Sequence, residues 1–205
     1  MMMSTLQVLR ALTLALCLGA PLAWAQAPVP TDLQDESDIV VRAEKNGEKI
    51  VINAEMPVHA SVAAVWDVLT DYDHMAQFVA NVNSSRITDR NGNTLLVAQK
   101  SSTAFGLLKF SFDNVRQVEL VPHREIRSKL ISGDMKDSAF TTRLVSDGAG
   151  VTRVINHGEF IPTMWVPPII GTAFLESETR RQFFELRNEI MRRAAEPKAA
   201  VPATQ

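Results

Sequence analysis

The segment from Met56 to Val82 constrains the fold most, because it passes from an extended run to a helix and then to a second short helix. Pro57 ends the extended run, and Ser61 is placed to cap a helix N-terminus. The apolar residues that follow repeat at helical spacing: Val62, Val65, Trp66 and Leu69. This pattern stops at Asp71, and a short apolar pattern starts again at Met75. The order predicts a strand followed by two short helices.

Extended segments with turn residues between them occupy most of the remaining chain. Asn46-Gly47 and Asn91-Gly92 fit the two-residue turn of a β-hairpin, in which both central residues need positive φ. Further turns are predicted at Pro122-His123, Gly133-Asp134 and Asp147–Gly150. The predicted strands are residues 39–43, 50–54, 84–89, 94–102, 109–121, 125–132, 135–145 and 151–160.

A long amphipathic helix is predicted from about Pro168 to Ala195. The Pro167-Pro168 pair suits a helix start, where the missing N–H costs nothing. Arginines crowd the second half, where cations favour the helix dipole, and we interpret them as a solvated face rather than a site for an anionic partner. An antiparallel sheet with one apolar face needs a cover, and this helix supplies it. The sequence therefore predicts a curved sheet around a long helix.

Four short motifs resemble one known superfamily. The run W-D-V-L-T-D-Y-D at Trp66–Asp73 and F-V-A-N-V at Phe78–Val82 resemble the first two helices of the START-like polyketide cyclase/dehydrase superfamily, which includes the coenzyme Q-binding proteins. Gly133–Lys136 and Gly150–Val154 resemble its sixth and seventh strands. The resemblance covers about Asp38–Arg193 and implies the α+β helix-grip fold, with a cavity between sheet and helix. It predicts no single activity, because this superfamily hosts binders and enzymes on one scaffold.

The first residues have the pattern of a secretory signal peptide. Arg10 supplies the positive charge, Ala11–Ala20 is a short apolar run, and Ala23–Ala25 fits the small-x-small cleavage rule. The apolar run is shorter than the ~20 residues that span a bilayer. We therefore predict that residues 1–25 are a signal peptide and that the protein is periplasmic or secreted.

Cys17 is the one cysteine of the chain. Its lipidation would make a lipoprotein, but the bulky Leu16 before it disfavours this alternative. Cleavage removes Cys17, so we expect neither a disulfide nor a thiol nucleophile. The formal net charge of −2 gives no electrostatic footprint for nucleic acid. Residues 26–37 and 196–205 are predicted to be flexible tails around a ligand-binding domain at residues 38–195.

The inward face of the long strand can be predicted from alternation. It carries mostly apolar residues, with Asn114 and Arg116 as polar exceptions. An inward Arg116 needs a carboxylate, a carbonyl, an opening to water or a polar ligand group, so a buried ion pair and a ligand contact are both open. On the last strand either alternating set could face inward, and Gly158 indicates a bulge or a close approach of the backbone. The predicted ligand-binding residues are Phe78, Phe105, Phe110, Phe112, Asn114, Arg116, Asn156, Trp165 and Phe174, with core packing as the alternative for each aromatic residue.

Motifs of catalytic and metal sites are absent from the sequence. The four histidines lie far apart, and no metal-binding, nucleophile-elbow or phosphate-binding spacing occurs, so we predict no metal and no cofactor. His157 and Glu159 lie two apart on one strand face and could form an acid/base pair. If that face is outside, they form only a surface pair, and we prefer this interpretation.

The function predicted from these features is binding or transport of a hydrophobic small molecule in an internal cavity. A lipid, a quinone or an aromatic polyketide-like compound fits by resemblance to the superfamily. We predict a monomer that contacts membranes transiently and does not bind nucleic acid. The alternatives are a cyclase/dehydratase-type enzyme acting on a bulky apolar substrate in the same cavity, and an envelope interaction module that uses the arginine-rich helix.

Overall fold

The computed structural model describes residues 35–105, 107–163 and 171–196, apart from the side chains of Phe105 and Leu108. In this part of the chain, eight strands form one antiparallel sheet in the order β1-β2-β8-β7-β6-β5-β4-β3. The strands are β1 (Val40–Asn46), β2 (Lys49–Val58), β3 (Val82–Asn91), β4 (Thr94–Phe105), β5 (Leu108–Val121), β6 (Glu125–Gly133), β7 (Met135–Ser146) and β8 (Thr152–Pro162). The helices are α1 (Val62–Leu69), a 3₁₀ helix (Tyr72–Gln77) and α2 (Thr172–Ala195). The predicted α+β helix-grip fold is confirmed.

The two short helices follow β2 as predicted. Ser61 caps α1, since its Oγ accepts a hydrogen bond from the backbone N–H of Ala64 at 3.2 Å. This bond satisfies one of the free N–H groups of the first turn. The 3₁₀ helix is tied to β3 through Asp73, whose Oδ1 accepts from the backbone N–H of Ile87 at 2.7 Å. Both helices are therefore fixed by short polar contacts at their ends.

Strand alternation places the apolar core on one face of the sheet. In β2 the buried positions are every second residue, namely Ile50, Ile52, Ala54, Met56 and Val58. The neighbouring β8 follows the same face because Ile52 lies opposite Gly158 and Met56 lies opposite Val154. The inward residues of β8 therefore include Val154, Asn156 and Gly158. The mixed sequence pattern of this strand does not decide which of its two faces is inward.

Helix α2 begins at Thr172 after its N-cap Gly171, so the predicted start near Pro168 falls among residues 164–170, outside the described residues. The prediction that its arginines form a solvated face is wrong for Arg187, which is only 5% exposed. Its Nη1 lies 2.6 Å from Oδ1 of Asp38, just before β1. Helical periodicity does not predict this contact, because Asp38 and Arg187 lie far apart along the chain.

Several predictions concern residues that the structure does not describe. The predicted signal peptide lies within residues 1–34, and most of the predicted tail lies within residues 197–205. Within the described ranges, no helix combines the length and apolarity needed to cross a membrane. Export, signal-peptide cleavage and the domain boundaries stay predictions.

Candidate binding cavity

A cavity of about 1120 Å³ lies between the inner face of the sheet and α2. In the C-terminal half of α2, Ile190 is fully buried. In the N-terminal half, Phe174 and Leu175 are only partly buried and line the cavity. Inward residues of β4, β5, β7 and β8 form the facing wall. The buried residues of α2, Arg187 and Ile190, lie in its C-terminal half, and the cavity lies mainly along the N-terminal half.

Arg116 is the polar centre of the cavity wall on β5. Its Nε donates to Oγ of Ser128 at 2.6 Å, and its Nη2 lies 3.5 Å from Oγ of Ser138. Its Cζ lies 4.8 Å from the centroid of the Phe140 ring, a cation–π distance. No carboxylate of the described residues pairs with it, so the ion-pair alternative has no support in this part of the chain.

Burial changes the acidity of two side chains in this wall. It lowers the pKa of Arg116 to about 10, a shift that the nearby Tyr72 partly opposes. It raises the pKa of Tyr72 to about 12, and the positive charge of Arg116 opposes that shift. At neutral pH Arg116 is therefore a cation and Tyr72 a neutral hydroxyl, so both can donate hydrogen bonds to an oxygen.

Gly158 provides the space in which Phe140 lies. A Cβ at this glycine would come within 2.1 Å of Cε1 of Phe140. The ring also stacks on Phe160, with centroids 6.3 Å apart and planes at 20°. The predicted close approach of the backbone at Gly158 is confirmed, and the group that approaches is the ring under Arg116.

Five carboxamides also line the cavity, those of Asn81, Gln99, Asn114, Asn156 and Gln182. Asn156 donates from Nδ2 to Oγ1 of Thr142 at 2.8 Å. Gln99 donates to the thioether of Met75, at 3.3 Å. Asn114 is buried, and its Oδ1 has no hydrogen-bond partner in the described residues.

The cavity brings together five of the predicted ligand-binding residues: Phe112, Asn114, Arg116, Asn156 and Phe174. Phe110 and Phe78 do not belong to its lining. Phe78 instead packs against the core, with Cζ of Arg193 5.2 Å from its ring centroid. Trp165 and the side chain of Phe105 lie outside what the structure describes. Ligand contact by any of these residues stays a prediction.

Sequence reasoning missed Tyr72, Gln99, Ser128 and Phe140 as members of this wall. Alternation on β4 and β7 offered a signal for Gln99 and Phe140, since each faces inward between outward neighbours. Tyr72 belongs to the run interpreted only as a helix stop. Ser128 needed the strand register, because it lies opposite Val118 and beside Arg116 only once β5 and β6 pair.

The His157–Glu159 pair lies on the outer face of the sheet. Nε2 of His157 is 3.4 Å from Oε1 of Glu159, and the side chains are 52% and 37% exposed. A hydrogen bond from Lys49 lowers the pKa of Glu159. The surface interpretation is confirmed, so this pair lies on the far side of the sheet from the cavity. The described residues contain no group of three or more His, Cys, Asp or Glu side chains that could hold a metal ion.

Similar structures support the fold assignment. A STAR-related lipid transfer protein from Xanthomonas axonopodis has a TM-score of 0.63 at 14% identity, over 77% of this chain and 96% of its own. The Zhui aromatase/cyclase from Streptomyces sp. R1128 has a TM-score of 0.56 at 15% identity, over 71% and 93%. A START superfamily protein from Mycobacterium smegmatis has a TM-score of 0.55 at 14% identity, over 70% and 96%. At these identities the likeness establishes the fold alone.

Comparison with curated protein sequences gives no significant match. The sequence profile described as polyketide cyclase / dehydrase and lipid transport matches residues 58–182, more than half of the chain. The fold, the cavity and this match agree on one assignment. The chain belongs to the polyketide cyclase/dehydrase and lipid transport family.

Proposed function

We propose that this protein binds and carries a hydrophobic small molecule whose oxygen is held by Arg116 inside the cavity. Membership of the family implies binding of a hydrophobic ligand. The observation that carries the proposal is a partly buried guanidinium with two serine hydroxyls as its hydrogen-bond partners in the described residues. A lipid, a quinone or an aromatic polyketide-like compound would suit the site.

The size and lining of the cavity favour a bulky apolar ligand. Its volume of about 1120 Å³ slightly exceeds the roughly 300–1,000 Å³ of small-molecule pockets. Phe112, Phe140 and Phe160 supply apolar walls on the sheet, and α2 contributes Leu175 and Phe183 from the other side. Removing the apolar surface of such a ligand from water favours binding by about 25 cal/mol per Å².

The hydrogen-bonding capacity of Arg116 predicts one feature of the ligand. A guanidinium carries five N–H donors and cannot accept. Ser128 takes one good bond, and the contact with Ser138 is at the distance limit. A carbonyl, carboxylate or hydroxyl oxygen would use the remaining donors, with Tyr72 as a further donor nearby. The ligand is therefore an apolar molecule with an oxygen at the end held by β5.

A carrier is favoured over an enzyme. Tyr72, with its raised pKa, is a poor base at neutral pH, and the described residues of the lining include neither a histidine nor a cysteine. The cyclase/dehydratase alternative would use Arg116 and Tyr72 to polarise a carbonyl. We further propose export to the periplasm, because of the signal-peptide pattern, and action as a monomer that touches membranes transiently to load and release its ligand.

The test begins with the full chain expressed with its own N-terminus and purified from the envelope. Extraction and mass spectrometry are expected to show an oxygen-containing apolar compound, unchanged on prolonged incubation. An octanoyl naphthalene, a fluorescent apolar ketone, then serves as the binding probe. Replacing Arg116 by methionine removes a charged hydrogen bond of about 1.5–3 kcal/mol, so affinity should fall roughly 10- to 100-fold.

The matched control is Arg143→Met, which removes an exposed arginine that pairs with Glu125 away from the cavity. It should bind the ketone as the unmodified protein does. Conversion of the extracted compound during incubation would favour the enzyme alternative. A ligand-free protein that also fails to bind the ketone would refute the carrier.

A further inference from the structure

We propose that Gln99 and Asn114 form a second polar subsite that binds a hydroxyl group of the ligand. This inference rests on the proposed function. It narrows the ligand to an apolar molecule with two oxygens, one held by Arg116 and a hydroxyl held by the two carboxamides. Neither carboxamide has an oxygen or nitrogen partner among the described residues.

Asn114 provides an unused acceptor. The residue is 9% exposed, lies on the inward face of β5 and lines the cavity. Its Oδ1 is buried without a hydrogen-bond partner in the described residues. A buried polar atom in this state costs folding free energy unless something else binds it. A donor supplied from the cavity would satisfy it.

Gln99 provides a weakly used donor directly beside it. Gln99 on β4 lies opposite Asn114 on β5, so the two side chains share one face, with Cβ atoms about 4.5–5.5 Å apart. Its Nε2 has the sulfur of Met75 as its partner, at 3.3 Å. A thioether is a weak acceptor, so an oxygen entering the cavity would compete for this N–H.

A hydroxyl is the group that suits both carboxamides at once. It donates one hydrogen bond, which Oδ1 of Asn114 needs, and accepts others, which Nε2 of Gln99 can give. A carbonyl could accept from Gln99 but could not donate, so Oδ1 of Asn114 would stay without a partner. Asn114 and Arg116 are two residues apart on one strand, so their Cα atoms lie about 6.6 Å apart. Two oxygens on opposite sides of a rigid ring system match this separation.

The experiment compares the octanoyl naphthalene with its ring-hydroxylated analogue, in which the hydroxyl lies on the far ring. The measured quantity is the ratio of the two dissociation constants in each protein. The unmodified protein should bind the hydroxylated compound about tenfold more tightly, and Asn114→Leu should lower that ratio to about one. Gln99→Met should lower it severalfold, and it tests the same subsite if Asn114→Leu does not fold.

Asn156→Leu is the matched control, since it removes a cavity carboxamide that already has a partner in Thr142. Its affinities can change, but their ratio should stay as in the unmodified protein. Equal binding of the two compounds by the unmodified protein, or a ratio that survives Asn114→Leu, would mean that only water occupies the subsite, and the inference is then wrong. Failure of both compounds to bind would instead contradict the carrier proposal together with the subsite.

Discussion

The ring of Phe140 occupies the space that a side chain at Gly158 would need. A Cβ there would lie 2.1 Å from Cε1 of the ring, which belongs to the neighbouring strand β7. The same ring supports the guanidinium of Arg116 at 4.8 Å. Because Gly158 has no side chain, Phe140 can lie where its ring contacts the guanidinium of Arg116.

Gly158→Ala should destabilise the fold by about 1–3 kcal/mol, because the added methyl group forces Phe140 to move within a packed wall. Urea unfolding measures this loss, and Phe140→Leu in the same protein should restore part of it. The control is Gly171→Ala, since a Cβ at Gly171 meets nothing within 4 Å and only the N-cap preference for glycine over alanine is lost, so its cost should be the smaller of the two. Equal stability of Gly158→Ala and the unmodified protein would contradict the geometry.

Tyr72 is the one tyrosine of the chain, so its ionisation can be followed directly by near-ultraviolet absorbance. Burial raises its pKa from 10.0 to about 12. The neutral form is favoured in the folded state, so this contribution to stability is complete below pH 10 and is lost as the pH rises toward 12. Arg116→Met should raise the pKa further, because the positive charge that favours tyrosinate is gone. Titration of the folded protein at the ordinary value near 10 would show that the hydroxyl is solvated.

Glu189 should contribute to the loss of stability in acid. Hydrogen bonds from Arg192 and then Arg193, opposed by burial, lower its pKa from 4.5 to about 2. Its ionised form is favoured in the folded state, so its contribution is present above about pH 4.5 and is lost as the pH falls toward 2. We expect this share to be about 1–2 kcal/mol, since solvent around the exposed Arg192 screens the interaction.

Urea unfolding at pH 6 and pH 3 checks this prediction. Glu189→Gln should lose less stability between the two pH values than the unmodified protein. Glu44→Gln, which changes an exposed carboxylate on β1, is the control and should keep the original difference. If Glu189→Gln lost as much stability between pH 6 and pH 3 as the unmodified protein, other carboxylates would account for the loss of stability in acid.

Thr103 and Glu178 connect β4 to α2 beside the cavity. Oγ1 of Thr103 donates to Oε2 of Glu178 at 2.6 Å. Thr103→Val keeps the shape and removes the bond, so the octanoyl naphthalene should dissociate about five- to tenfold faster, as measured by stopped-flow displacement. Thr88→Val makes the same substitution on the exposed part of the sheet, where it removes a 3.2 Å bond to the carbonyl of Leu96, and it should leave the rate unchanged. If the ligand dissociated from Thr103→Val no faster than from Thr88→Val, it would leave the cavity by a route that does not pass the Thr103–Glu178 contact.

Alternation along one strand suffices to predict its inward face, because side chains alternate whichever strands lie beside it. Phe112, Asn114 and Arg116 line the cavity as the pattern of β5 predicts. The same argument cannot decide β8, since both of its sets mix apolar and polar residues. Pairing with β2 decides it, because Ile52 lies opposite Gly158.

Local residue patterns are enough to predict the features that depend on residues close together in the chain. These are the Asn46-Gly47 turn, the Ser61 cap and an arginine on the inward face of β5. The partners of that arginine depend instead on the three-dimensional fold. Ser128 and Phe140 reach Arg116 from β6 and β7, across a register shift at Val115/Arg116. Such partners depend on how distant strands pair, and local residue patterns carry no information about that register.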